Sequence, residues 1–222
     1  MARRTTTAQA RIPLSRARAL EVAVALADAE GIEALTMRRL AHELGVEAMS
    51  LYHHVANKDD ILDGMVDLVF AEIELPSTDV DWRTAMRRRA TSARSVLTAH
   101  PWAIGLPRST PGHATLRHHD AVLGCLRAGG LSIPLTAHAY AAIDAYLFGF
   151  IAQEIALPFE SGPETQELAA ASVAAMPADL YPHMREFTAE HVMQPGYDYG
   201  AEFDYGLELI LDGLERARKK RA

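Results

Sequence analysis

The sequence predicts an all-α protein, with a small three-helix helix-turn-helix unit followed by a larger helical domain. Three observations carry that expectation. Apolar residues recur at helical spacing along most of the 222 residues, and no stretch alternates convincingly with period two. Capping residues stand ahead of the periodic runs, and glycine or proline stands behind them. Hydrophobic residues make up 49% of the chain, enough for a packed core.

The elements follow in order. Residues 1–14 read as a flexible basic arm carrying Arg3, Arg4 and Arg11. Ser15 can cap a helix from Arg16 to about Glu30, with Leu20, Val24 and Ala27 on one face and Gly31 as the stop. Thr36 can cap a short helix that Gly45 ends after Leu44. A third short helix is expected from about Glu47 to Val55, and a longer one, capped by Asn57, from Lys58 to about Glu74. Asp59 and Asp60 sit in its first turn, where the helix dipole favours anions. Pro76 and the polar residues after it mark a break. Helices are then expected over Trp82–Ala99, from about His113 to Ala128, and from Pro134 to Leu157. Pro101 opens a short turn, Pro107 to Gly112 reads as loop, and Gly129-Gly130 is a stop. Prolines and glycines punctuate residues 158–200, so broken helices and loops are expected there. A last helix runs from about Ala201 to Arg218 and trails into a basic end. The expected domains are 1–14, 15–60 and 61–222.

Bulk composition narrows the function classes. Cys125 is the single cysteine, which excludes an intrachain disulfide and a multi-cysteine zinc site and fits a reducing cytoplasm. Charges interrupt every apolar stretch near the N-terminus, so no signal peptide is expected. The segment from Phe148 to Pro158 is apolar but short, with Gln153 and Glu154 in it, so no membrane span is expected. The formal net charge is −7, which argues at first against a nucleic-acid partner. Residues 1–60, however, hold eight basic and eight acidic side chains, so the whole deficit lies beyond them. A local basic patch matters more for DNA than the total.

The strongest motif is the run from Thr36 to Val55. Leu40, Ala41 and Leu44 give the inward face of its first helix, and Gly45 supplies the turn. Val46, Leu51 and Val55 bury the second helix and leave Glu47, Ala48, Met49, Ser50, Tyr52, His53 and His54 available outward. Ser, Tyr and His suit hydrogen bonds to base edges and phosphates. Arg38 and Arg39 begin the preceding helix, and Lys58 begins the next. Spacing alone is equally compatible with ordinary packing of two short helices.

The run Leu35-Thr-Met-Arg-Arg-Leu-Ala-His-Glu-Leu-Gly-Val, followed by Ser50-Leu-Tyr-His-His-Val and Asn57-Lys58, resembles the DNA-binding domain of the tetracycline-repressor (TetR) family over about residues 14–70. Phe203-Asp-Tyr-Gly-Leu-Glu-Leu-Ile-Leu-Asp-Gly-Leu-Glu resembles the last helix of the tetracycline-repressor subgroup, which forms half of a dimerising four-helix bundle. The resemblance implies a transcriptional repressor that a ligand releases from a pseudo-palindromic operator in double-stranded DNA. It implies that Arg38 contacts DNA, that Ala48, Met49 and Ser50 face the bases, and that Tyr52, His54 and Lys58 hold phosphates. Thr36, Arg39 and His53 complete the candidate surface. Where the family has more polar base readers this chain has Ala48 and Met49, for which a thymine methyl is the natural contact.

A homodimer is the expected assembly. Its expected interface comprises Ile143, Leu147, Phe150 and Ile151 on the long helix, and Phe203, Leu207, Ile210, Leu211 and Leu214 on the last. The same stripes could instead pack within one chain. The helices between residues 58 and 157 should enclose a pocket for an unidentified inducer. Its candidate contacts are Phe70, Arg89, His100, Trp102, His119 and Tyr146. Phe70, Trp102 and Tyr146 could equally be plain core, and His100 and His119 satisfied histidines. Arg89 falls on an apolar stripe and needs a partner, an internal carboxylate or an anionic ligand group. By the resemblance, Arg89 and Pro107 stand where the tetracycline repressor has a polar asparagine and a magnesium-binding histidine. Proline's side chain cannot ligate a metal, so tetracycline–magnesium is not the expected inducer.

No glycine-rich phosphate loop, nucleophile elbow or paired-histidine zinc motif is present, so no enzyme activity, cofactor or metal is expected. His118-His119-Asp120 does not alter this, because adjacent histidines on a helix point about 100° apart. Two rival readings remain from the sequence: a helical small-molecule-binding protein without operator binding, and an activator of the same fold.

Overall fold

The computed structural model describes residues 13–106, 110–157, 163–177 and 179–220. Among the described residues every regular element is helical. The expected basic arm (apart from Pro13 and Leu14), the start of the 107–112 loop and Pro107 itself lie outside them. The chain divides into two compact units, Met1–Glu72 with Ala99–His118, and Ile73–Thr98 with His119–Ala222.

The first unit is built on α1 (Arg16–Glu30), α2 (Met37–Leu44), α3 (Ala48–Leu51) and α4 (Lys58–Glu72). The expected caps form. The Ser15 side chain accepts from the Arg18 N–H, Thr36 from the Arg39 N–H at 3.1 Å, and Asn57 from the Asp60 N–H at 2.9 Å. Gly45 takes φ +66°, the left-handed conformation that ends α2 while the Val46 N–H bonds back to the Ala41 carbonyl at 3.0 Å. The helix expected from Glu47 to Val55 is shorter: α3 ends at Leu51, and Tyr52–His54 form a turn closed by the His54 N–H on the Leu51 carbonyl.

The boundary expected at residue 60 does not hold, because α4 packs with α1. Ile61, Met65, Val66, Val69 and Phe70 of α4 and Leu20, Ala23 and Ala27 of α1 are all buried. The two helices approach so closely at Gly64 that a Cβ there would lie 2.7 Å from Leu20 Cδ1. The start of α6 (His113–Ala128) joins the same unit through Asp67 of α4. That carboxylate accepts the N–H groups of Ala114 (3.2 Å) and Thr115 (2.8 Å) and the Thr115 hydroxyl (2.9 Å), so a side chain from α4 caps α6. A Cβ at Gly112 would meet the Asp67 carboxylate that these hydrogen bonds hold in place.

The second unit holds most of α5 (Trp82–Ala99), the rest of α6, α7 (Ile133–Ala156), α8 (Pro163–Ala175), α9 (Pro182–Phe187) and α10 (Tyr199–Lys219). Its seam is the pairing of α7 with α10. Tyr146, Phe150, Tyr199 and Phe203 stack there, and the Arg94 guanidinium lies over the Phe150 and Phe203 rings at 5.5 and 5.2 Å while pairing with Glu154. By length and composition α7 could cross a membrane, yet Leu135, Ala139, Ile143, Leu147, Phe150 and Ile151 face this packed interior.

The seam covers most of the side chains expected at the dimer interface. Ile143, Leu147, Phe150, Ile151, Phe203, Leu207, Leu211 and Leu214 are all buried within the single chain, and Ile210 is half-buried. A side chain already out of water gains nothing from a second copy. Within the single chain these stripes lie where α10 packs on α7.

Candidate nucleic-acid interface

Each candidate side chain is placed by a cap or a buried neighbour. Leu51, fully buried, pins α3, and Val55 pins the turn after it. That anchoring turns Met49 and Tyr52 outward, at 73% and 47% exposure. His53, His54 and Lys58 are exposed beside them, and Ala48 and Ser50 are half-buried on the same short helix. Arg38 is exposed at the start of α2 and makes no ion pair among the described residues. Thr36 is spent on the backbone, as the cap of α2.

Arg39 departs from expectation. Its guanidinium bonds Glu30 of α1 at 2.7 Å and Glu43 of its own helix at 3.0 Å, and its Nε is buried. Arg39 thus joins α2 to α1 through partly exposed ion pairs. A carboxylate nine residues upstream was visible in the sequence, but the fold alone brings it within reach. Arg16 is similarly held by Asp60 at 2.8 Å. That bond, with the Ala56 N–H, keeps the Asp60 carboxyl below the ordinary range.

The six candidate ligand contacts divide three and three between the two units. In the first unit, the Trp102 indole N–H donates to Asp28 at 2.6 Å, His100 lies 2.8 Å from the same oxygen, and Phe70 packs edge-on against His118. In the second, Arg89, 1% exposed, pairs with Asp144 at 2.8 Å; of its two possible partners, the internal carboxylate is present. His119 bonds Tyr140 at 2.7 Å, and the Tyr146 hydroxyl donates to the carbonyls of Glu202 and Phe203. The prominent clefts among the described residues are lined by others. One, about 780 Å³ in the first unit, runs between Arg16 and the α4 carboxylates Asp60, Asp63 and Asp67. Sequence reasoning missed Asp67, because nothing local to α4 points to the backbone it caps 47 residues later.

Two family models match successive parts of the chain. Residues 19–65 match the family described as bacterial regulatory proteins, tetR family, and residues 75–218 match the tetracyclin repressor-like C-terminal domain. The chain is 35% identical over 209 residues to the HTH-type transcriptional repressor DrrR1 of Streptomyces coeruleorubidus, covering 89% of this chain and 76% of that one. It is 31% identical to the class C tetracycline repressor protein of Escherichia coli, with 92% of each chain covered. Among solved structures it resembles the Streptomyces coelicolor TetR family protein ActR in complex with actinorhodin, with a TM-score of 0.80, 26% identity, and coverage of 95% of this chain and 99% of that one.

Proposed function

This chain belongs to the tetracycline-repressor family and is a ligand-responsive, DNA-binding transcriptional repressor, and from that premise we propose that it acts as a cytoplasmic homodimer on a pseudo-palindromic operator. The observation that carries the reading is the outward projection of Met49 and Tyr52 from an element pinned by fully buried Leu51. Ala48, Met49 and Ser50 face the bases; Tyr52, His54, Lys58 and Arg38 hold phosphates. Thymine methyls fit Ala48 and Met49. Ala48→Gln shifts the preferred bases toward adenine; an unchanged binding motif would count against this placement.

The dimer face is the surface that the α7–α10 seam leaves outside. On α10 it carries Tyr205 and Leu209, 68% and 55% exposed, and on α7 the exposed small residues Ala141, Ala145 and Ala152. Small residues on one helix opposite large ones on the other suit close helix packing across a two-fold axis. Such a dimer presents its recognition elements about 34–36 Å apart. The inducer is a small organic molecule, of the kind with which ActR is solved in complex (actinorhodin), and not tetracycline–magnesium. The chain works by binding and catalyses no reaction.

Selection of bound sequences from a randomised double-stranded DNA library, at stated salt, tests the reading. A two-fold palindrome that Tyr52→Ala no longer binds supports it. Folded dimer that enriches no sequence overturns it in favour of a ligand-binding protein without an operator.

A further inference from the structure

The turn between α3 and α4 carries little permanent positive charge. From Tyr52 to Lys58 the only permanent cation is Lys58, and the other nitrogen-bearing groups that can gain a charge are His53 and His54. The backbone of both histidines is bonded back into α3. The His53 N–H donates to the Ser50 carbonyl at 3.4 Å and the His54 N–H to the Leu51 carbonyl at 2.8 Å. Leu51 before them and Val55 after them are buried, so the turn is fixed while both imidazoles stand in water.

Other histidines of the chain stand beside carboxylates of the protein itself: His42 is 3.8 Å from Glu43, His100 2.8 Å from Asp28 and His191 2.9 Å from Glu202. His53 and His54 make no ion pair among the described residues. The charged groups of the surrounding elements are accounted for. On α2, Glu43 bonds Arg39 and Arg38 is exposed. Glu47, at the start of α3, is exposed. At the start of α4, Asp60 is held by Arg16 and the Ala56 N–H, which leaves Lys58 and Asp59 exposed. The charge of this turn therefore depends on whether its two imidazoles carry a proton.

We propose that His53 and His54 make operator affinity depend on pH, because in the complex they are imidazolium cations on backbone phosphates and binding takes up protons. The inference rests on the operator-binding reading above. A phosphate beside an imidazole favours the charged form, so the bound state holds more protons than the free one. The sign follows: affinity is greatest where the imidazoles are charged before binding, and it is lost as pH rises through the range in which the bound imidazoles give up their protons. Imidazoles change charge between about pH 5 and 8. Two histidines per protomer put four in a dimer, so charging them steepens the dependence of log affinity on log salt concentration by up to about 3 to 4.

The test uses the palindrome recovered by selection and measures binding of the full chain at about pH 6 and about pH 8, each across about 50–200 mM salt. The expected result is affinity about tenfold or more tighter at the lower pH, with a salt slope steeper by at least about 1. The double variant His53→Gln with His54→Gln keeps polar side chains at both exposed positions but has nothing there to titrate. It loses most of the pH dependence, and its salt slope is the same at both pH values. His42→Gln, which alters the histidine beside Glu43, keeps the parent's pH dependence. A parent with equal affinity at both pH values overturns the proposal and leaves the operator reading intact. So does a double variant as pH-dependent as the parent, or a His42→Gln variant that loses as much as the double one. A full chain that enriches no DNA at either pH overturns both.

Discussion

The recognition turn and the α7–α10 seam use similar side chains to opposite ends. Met49 and Tyr52 are large, partly apolar and mostly in water; Phe203 and Leu207 are large, apolar and 1% exposed. In the seam, burial itself is the contribution: it stabilises the unit and leaves nothing for a partner to recognise. In the turn, one buried residue, Leu51, holds the element so that its neighbours stay free. The same contrast bears on the expected dimer interface, since an apolar stripe read from sequence does not say which body covers it.

Five changes would break or sharpen that contrast. Phe203→Ala should have the largest effect, lowering stability by about 3–5 kcal/mol in denaturant unfolding while the folded fraction keeps its operator affinity. A loss under about 1 kcal/mol would mean that the seam is not the tight core its burial indicates. Tyr52→Ala should do the reverse. Unfolding should move by about 0.5 kcal/mol or less, as for surface changes generally, while operator binding weakens by about tenfold or more.

The adjacent pair Arg38 and Arg39 sharpens the comparison within one helix. Arg38→Ala should flatten the salt dependence of operator binding by about 2 per dimer. Arg39→Ala should leave that slope alone and cost about 1 kcal/mol or less of stability, because its ion pairs are partly exposed. The smallest effect belongs to Asp60→Asn. The Arg16 contact lowers the folded-state pKa of Asp60, so its stabilisation is full above the ordinary carboxylate range and is lost as pH falls through the folded value. The stability gap between the parent and Asp60→Asn should therefore be widest near neutrality and close in acid. A gap constant with pH would show that the carboxylate charge does not carry it.

Much of the DNA-binding unit was legible before any coordinates. Ser15, Thr36 and Asn57 cap the helices their positions implied, and Gly45 takes the left-handed turn expected of it. These are local relations, decided by side chains reaching backbone a few residues away. The length of α3 was overestimated because Tyr52–His54 continue the helical pattern without continuing the helix. The candidate ligand contacts were legible as unusual residues but not as a site. Arg89 required a partner, and only packing shows that Asp144, 55 residues on, is that partner.

The sequence by itself determined the helical class, the caps and stops, the recognition turn and the family, because each is written in spacings of a few residues. The tertiary structure alone decided that Arg39 is spent on Glu30, that α4 belongs with α1, that Asp67 caps α6, and that the α7 and α10 stripes face each other. Those outcomes depend on distances between segments far apart in the chain. Charge and hydrophobicity set which groups need a partner, but folding sets which partner arrives.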